Sequence, residues 1–242
     1  ILLSDFGFKG LVIKNNILGK EKLEEDKDSI VLRIGAGENW DEFVKHCVNK
    51  GFWGIECLSG IPGSIGASPI QNIGAYGQEV KDTIIGVETV SLEDLSRAKF
   101  NNEECEFTYR NSRFKREKVH VVTHVIFKLS KKPIYDLKYK DLRDRFSRTD
   151  PGIQEIRKAV LEIRKGKGMV YDKDDVNTHS TGSFFINPVI NAEKLEKLLI
   201  SHHEMPYWKL ESGDYKVSAA WLIEQAGFKK GCLFKTAGLS EK

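Results

Sequence analysis

Apolar residues recur along the chain at two spacings, and each predicts a different element. Trp40, Phe43, Val44, Cys47 and Val48 follow i, i+3, i+4, i+7 and i+8, the stripe of one helix face, and Gly51 stands where such a helix would stop. A second helix is expected from Thr149-Asp150-Pro151, with Asp150 as its cap and Pro151 in its first turn. Its apolar face is Ile153, Ile156, Val160 and Ile163, and it runs into Arg164-Lys165-Gly166-Lys167. Asn191 caps a third helix with Leu195, Leu198 and Leu199 inward, and Ser218 caps a fourth, Ala219–Ala226, ended by Gly227. Elsewhere the period falls to two, predicting antiparallel strands at Ile84–Ser91, Arg97–Phe100 and His120–Leu129. Ile30–Ile34 reads as a strand, as do Ile1–Leu3 and Leu11–Ile13 around a glycine-containing turn, and Ser183–Val189 as a short strand interrupted at Pro188. Residues 19–29 and 168–182 are polar and read as turn and loop. This mixture is compatible with an α+β fold without singling one out.

Composition removes several function classes. A hydrophobic share of 40% and a charged share of 30% are those of an ordinary globular chain, and 242 residues suffice for two domains or one large one. A net charge of +3 with no long basic tract gives no case for a nucleic-acid partner. The four cysteines (Cys47, Cys57, Cys105, Cys232) form no C-x-x-C pair, which argues against a zinc site or a disulfide framework and makes a reducing cytoplasm the default. No apolar run reaches the length of a membrane span, so no membrane partner is expected.

Candidate chemistry concentrates between Gly54 and Gly77, GIECLSGIPGSIGASPIQNIGAYG, where glycines alternate with Ile55, Leu58, Ile61, Ile65, Ile70, Ile73 and Tyr76. That pattern describes a buried backbone approaching something closely. Pro62-Gly63 reads as a tight turn and Ser64 as the cap of a short helix whose free amides would suit a phosphate. A glycine-rich turn without a ligand fits the same residues. No G-x-G-x-x-G opens a helix after a strand, which disfavours a Rossmann dinucleotide site. The whole string IPGSIGASPIQNIGAYG resembles the flavin-binding loop of the bacterial UDP-N-acetylenolpyruvoylglucosamine reductases. The resemblance implies that Pro62, Gly63, Ser64, Ile65, Gly66 and Ala67 hold the FAD pyrophosphate and ribityl chain, and that Gln71, Asn72, Gly74 and Tyr76 run past the isoalloxazine ring.

Two further segments share that resemblance. Tyr109-Arg110-Asn111-Ser112-Arg113-Phe114-Lys115 is by itself a basic loop that solvent could cover. It is similar to the family's YR-[DN]-S-x-F-K segment, which implies that Arg110 grips the substrate carboxylate, a task a charged fork-shaped guanidinium suits. Ser183 in Gly182-Ser183-Phe184-Phe185-Ile186-Asn187-Pro188 has no G-x-S-x-G elbow and no nearby His and Asp to make a hydrolase triad. The segment resembles GSFF-x-NP, implying Ser183 as the proton donor to C2 of the enol and Asn187 in the nucleotide-sugar pocket. Lys167 in Lys167-Gly168-Met169, Tyr139 in LKYKDL, Tyr76, and Lys216 before SAAWLIEQAG are implied substrate contacts. Lys167 reads equally as a cation favoured at a helix C-terminus, and Tyr139 as a surface tyrosine.

The resemblance implies an α+β fold with a two-part FAD-binding domain of the vanillyl-alcohol-oxidase (PCMH) type and a smaller substrate-binding domain. It places the remnant of the first FAD subdomain at 1–18, the second at 19–167 and the substrate domain at 168–242. It implies FAD as cofactor, NADPH as hydride donor, UDP-N-acetylglucosamine enolpyruvate as substrate and UDP-N-acetylmuramate as product. It also implies a monomer in the bacterial cytoplasm, with no metal. Against the family's pattern, the chain starts after an expected glycine-rich phosphate loop and stops before a strand carrying an active-site Glu. The chain as written is therefore expected to show little reductase activity. The alternatives are another FAD oxidoreductase of the same fold acting on a hydroxy acid or alcohol, or an inactive flavin- or nucleotide-binding fragment.

Overall fold

The computed structural model describes residues 4–210, 212–234 and 237–241, so the strand expected at Ile1–Leu3 lies outside the described residues. The chain divides into two units, Phe8–Lys165 and a second that gathers Gly166 onward with the first residues of the chain. The first unit contains β1 (Lys20–Glu25), β2 (Ser29–Gly35), α1 (Trp40–Lys50), the hairpin of β3 (Gly74–Ala75) and β4 (Gln78–Glu79), β5 (Ile84–Ser91), β6 (Arg97–Asn101), α2 (Arg113–Glu117), β7 (His120–Ser130), α3 (Lys140–Arg145) and α4 (Ile153–Gly166), the last ending at the boundary.

Five of these strands form an antiparallel sheet in the order β1-β2-β7-β5-β6. Ile30, Leu32 and Ile34 of β2 stand opposite Leu129, Phe127 and Val125 of β7, so alternate residues of both strands present one apolar face. The stripe of α1 is buried against it: Trp40 and Phe43 pack on Phe127 with ring centroids 6.1 and 5.1 Å apart. Asn39 caps α1 by accepting the Glu42 amide, and Gly51, at φ 72°, ends it. Ile153, Ile156, Ala159 and Val160 of α4 complete this core, which also holds the buried thiols of Cys47, Cys57 and Cys105.

The sequence expectations need correcting at five places. Residues 19–29 are not all turn, because Lys20–Glu25 pairs with β2 as an edge strand. All six of its residues are exposed, so it never needed apolar alternation. Leu11–Ile13 forms no strand, and these side chains are 78–81% exposed. Asp150 does not cap α4; the helix begins at Ile153, and Glu155 accepts the Gly152 amide at 2.7 Å. The basic stretch after Arg110 is partly helical, as α2, with Ser112 accepting the Lys115 amide as its cap. Residues 183–188 are loop with a bend at Phe185, and only Val189–Ile190 joins a strand.

That strand, β8, belongs to the second unit, with α5 (Ala192–Ser201), β9 (Tyr207–Lys209), β10 (Tyr215–Val217), α6 (Ala219–Gln225) and the hairpin of β11 (Leu233–Phe234) and β12 (Ala237–Gly238). A small antiparallel sheet in the order β8-β10-β9 carries a core of Leu195, Met205 and Val217, with Ile190, Leu198, Leu199, Tyr215, Trp221 and Leu222 around it. Asn191 and Ser218 cap α5 and α6 by accepting the amides of Lys194 and Trp221. Among the described residues no helix is long and apolar enough to cross a membrane, and no cluster of His, Cys, Asp and Glu could hold a metal ion.

Candidate active site

The glycine-rich stretch is stitched to the start of α1. Trp40 donates its amide to Gly63 O at 3.0 Å, Ile65 to Glu38 O at 2.9 Å and Gly66 to Ala36 O at 2.9 Å, and the indole of Trp40 donates to Leu58 O at 3.0 Å. A short 3-10 turn, Ile65–Ala67, follows Ser64, whose hydroxyl makes no capping bond. The amides of Ile65, Gly66 and Ala67 are therefore occupied by protein carbonyls, Ala67 by that of Ser64 at 3.1 Å. The amides of Gly63 and Ser64 have no partner among the described residues, and Pro62 and Gly63 are exposed beside them. An anionic group fits those two donors rather than the whole turn. Gln71 is exposed, while Ile65 is fully buried and anchors the loop in the core.

Arg110 and the QNIGAYG segment meet. Arg110 donates from Nη1 to Asn72 O at 3.2 Å and to Glu79 Oε1 at 3.2 Å, and from Nη2 to Gly74 O at 2.5 Å. Asn72 is fully buried; its amide donates to Glu79 Oε2 at 2.9 Å and Thr108 O at 3.1 Å and accepts the Lys81 N–H at 3.1 Å. Ser112 donates to Ile70 O at 2.7 Å, and Lys115 Nζ holds Arg110 O at 2.9 Å. The YRNS turn and the QNIGAYG turn are thus one hydrogen-bonded body. Asn72, Tyr76 and Arg110 all have left-handed backbones, at φ 45°, 51° and 52°. Non-glycine residues adopt that conformation at some cost, and it persists only where surrounding contacts over-determine it. Glu79 already gives Arg110 one carboxylate partner.

Tyr76 and Tyr139 also meet, edge to face, with ring centroids 4.9 Å apart and planes at 84°. Arg164, which is 8% exposed, lies beside the Tyr76 phenol, whose charge acts on it. Burial lowers the pKa of that guanidinium against the opposing pull of Tyr76 and of Asp41. Burial alone would raise Asp41, but hydrogen bonds from Arg157 and the Gly60 amide more than offset it and hold its carboxyl below the ordinary range. Neither Arg164 nor Asp41 was selected by sequence reasoning. Arg164 sat in a basic run that reads as solvated, and the sole hint was that it falls on the apolar face, four residues after Val160.

The second unit holds the remaining expected residues. Ser183 is exposed, and its hydroxyl has no hydrogen bond among the described residues; Phe184 and Phe185 beside it are 69% and 61% exposed and touch edge to face. Asn187 is tied down, accepting the Ala219 amide at the start of α6 at 2.9 Å, while Val217 donates to Pro188 O at 2.9 Å. Lys216 pairs across strands with Val189 and Trp208, its ammonium 5.2 Å from the Trp208 ring centroid. Lys167 is exposed ahead of Gly168, which sits at φ 64° with the Asn177 carbonyl 2.9 Å from where a Cβ would stand. In this unit Asn187 and Lys216 are brought to one small sheet and helix start.

Comparison with known proteins gives a consistent picture. Residues 2–94 match a family described as an FAD binding domain, and residues 174–242 match the C-terminal domain of UDP-N-acetylenolpyruvoylglucosamine reductase. The chain is 43% identical to the UDP-N-acetylenolpyruvoylglucosamine reductase of Salinispora arenicola, over 96% of this chain and 66% of the relative. It is 40% identical to that of Bdellovibrio bacteriovorus, over 97% and 69%, and 39% identical to that of Thermobifida fusca, over 100% and 71%. The chain thus spans about two thirds of the length of the curated relatives it matches. Its fold is similar to the crystal structure of the UDP-N-acetylenolpyruvylglucosamine reductase of Thermus caldophilus, with a TM-score of 0.54 at 23% identity, over 86% of this chain and 57% of that one.

Proposed function

Given that the chain belongs to the family of the UDP-N-acetylenolpyruvoylglucosamine reductases, we propose that it serves the NADPH-dependent reduction of UDP-N-acetylglucosamine enolpyruvate to UDP-N-acetylmuramate. The observation that carries this reading is the pairing, in one chain, of an FAD binding domain with the C-terminal domain of these reductases. Bound FAD would supply the redox chemistry, passing hydride equivalents from NADPH to the enolpyruvyl carbon.

The chain's own residues do the rest. Gly63 and Ser64 would offer the pyrophosphate their amides, with Pro62, Ile65, Gly66 and Ala67 shaping that turn, and Gln71, Asn72, Gly74 and Tyr76 would hold the isoalloxazine. Arg110 holds the substrate carboxylate and stabilises negative charge that grows as C3 receives hydride, because a fixed cation needs little reorganisation when the charge appears. Ser183 gives its hydroxyl proton to C2. Tyr76, Tyr139, Lys167, Asn187 and Lys216 bind the nucleotide sugar, with Lys216 aimed at the diphosphate. In this reading residues 19–167 serve the flavin and 168–242 the substrate. The protein works as a monomer in the bacterial cytoplasm and feeds peptidoglycan synthesis, and through it cell shape and division.

The test separates the two half-reactions in a protein extended at both ends to the length of the relatives it matches. With FAD bound, NADPH alone should bleach the visible flavin band, and adding the enolpyruvyl UDP-sugar should restore it. A band that the UDP-sugar leaves bleached, while a hydroxy acid or alcohol reduces the oxidised protein, would replace this reading with that of another oxidoreductase of the same fold.

A further inference from the structure

Asp41, on α1, sits where three segments remote in sequence converge. Its Oδ1 accepts the Gly60 amide at 2.6 Å and Arg157 Nη1 at 2.7 Å, and its Oδ2 accepts Arg157 Nη2 at 2.8 Å. Gly60 lies at φ 72°, and a Cβ there would stand 2.8 Å from Leu161 Cδ2 and 3.2 Å from Arg164 Nε, so the chain passes directly against the Arg164 side chain. Arg164 in turn lies beside the Tyr76 phenol, close enough for that group to act on its charge. A guanidinium 8% exposed needs a counter-charge nearby, and Asp41 is the carboxylate whose charge acts on it.

We propose that Asp41 is a positioning residue for the flavin loop: through Gly60 it fixes the entry to the Pro62-Gly63 turn and seats the chain against Arg164, the guanidinium that holds Tyr76 in its left-handed pose. The inference rests on the flavin reading above. Gly60 stands three positions before Gly63, so its anchor sets where the two unpartnered amides are presented. Tyr76 lies at the far end of the same loop. One carboxylate thus governs both ends, and pre-organising them lowers the ordering cost of binding a long cofactor. A residue that merely fastened α1 to α4 would not connect to Tyr76.

A double-mutant cycle on FAD affinity, read by flavin fluorescence in the purified protein, tests this. Asp41→Asn and Tyr76→Phe should each weaken binding about tenfold, and the two together also about tenfold, because contacts in one chain of bonds do not add. Asp41→Glu, longer but charged, should bind FAD better than the near-isosteric Asp41→Asn. A double variant weakened about a hundredfold, as independent sites would give, overturns the proposal. So does Asp41→Asn binding as wild type does, or binding better than Asp41→Glu. If Asp41→Asn does not fold, Arg157→Lys takes its place, with a smaller loss that again must not add to that of Tyr76→Phe. Should the wild-type protein fail to bind FAD, the flavin reading falls. The same cycle read on urea unfolding midpoints without FAD then judges the Asp41–Tyr76 coupling, and additive midpoint shifts overturn it.

Discussion

Arg110 and Ser183 are assigned to one reaction, yet the fold treats them in opposite ways. The Arg110 guanidinium donates to Asn72 O, Gly74 O and Glu79, its carbonyl is held by Lys115, and its backbone sits in a left-handed conformation. Ser183 is exposed in a loop between exposed residues, its hydroxyl without a partner among the described residues. The difference extends to the units that carry them. The first has a five-stranded sheet whose core includes Trp40, Phe43 and Phe127, and the second a three-stranded sheet around Leu195, Met205 and Val217. A cofactor that stays bound is served by a site built in advance. A proton donor that acts only once substrate has arrived can be ordered by that substrate, at a cost in binding free energy.

The comparison breaks most visibly at Ser183. Ser183→Ala should slow reduction of the enolpyruvyl sugar by roughly 10²–10⁴, the loss typical of removing a general acid, while NADPH reduces the flavin at an unchanged rate. Stopped-flow spectra of the two half-reactions check this; equal loss in both would make Ser183 structural. Arg110→Ala should act more broadly, because the same side chain braces the flavin loop. Losing a charged group's hydrogen bonds to part-buried carbonyls should lower unfolding free energy by about 2 kcal/mol and loosen FAD as well as substrate. Damage confined to the sugar half-reaction would show that the brace contributes nothing.

Gly168→Ala forces a Cβ toward the Asn177 carbonyl and a side chain into left-handed backbone. It should cost about 1–2 kcal/mol, felt as a raised KM for the UDP-sugar with FAD affinity unchanged. A KM equal to wild type would unlink this turn from the substrate. The smallest effect concerns pH. Asp41 has a folded pKa lowered below its ordinary value, so its contribution to stability is present above the unfolded value of about 4 and is lost as pH falls through the lower folded value. The stability gap between wild type and Asp41→Asn, measured by urea unfolding, should therefore shrink in acid; a gap constant down to acid pH would contradict the ionised Asp41–Arg157 pair.

What the sequence disclosed followed from periodicity. The five-residue stripe from Trp40 to Val48 and its Gly51 stop mark a helix because burial on one face demands that spacing. The strands β5, β6 and β7 were legible for the same reason with a period of two. Lys20–Glu25 was not, because an edge strand with every side chain in solvent leaves no apolar signature. The run Phe184-Phe185-Ile186 misled in the other direction, since large apolar residues left exposed imitate a strand. At the site, the meeting of Arg110 with Asn72 and Gly74 was reachable only through resemblance, for the contacts span 38 and 36 residues. Asp41 and Arg157 are 116 residues apart, and no local pattern joins them.

In the reading proposed above, the flavin site is pre-built in Phe8–Lys165 and separate in its making from the proton donor. Titrating FAD into wild type, Arg110→Ala and Ser183→Ala, and following flavin fluorescence and the visible band, tests that claim most directly. The account predicts saturable binding by wild type, equally tight binding by Ser183→Ala, and clearly weaker binding by Arg110→Ala. A wild-type protein that stays colourless in excess FAD, or two variants that lose FAD to the same degree, would contradict it.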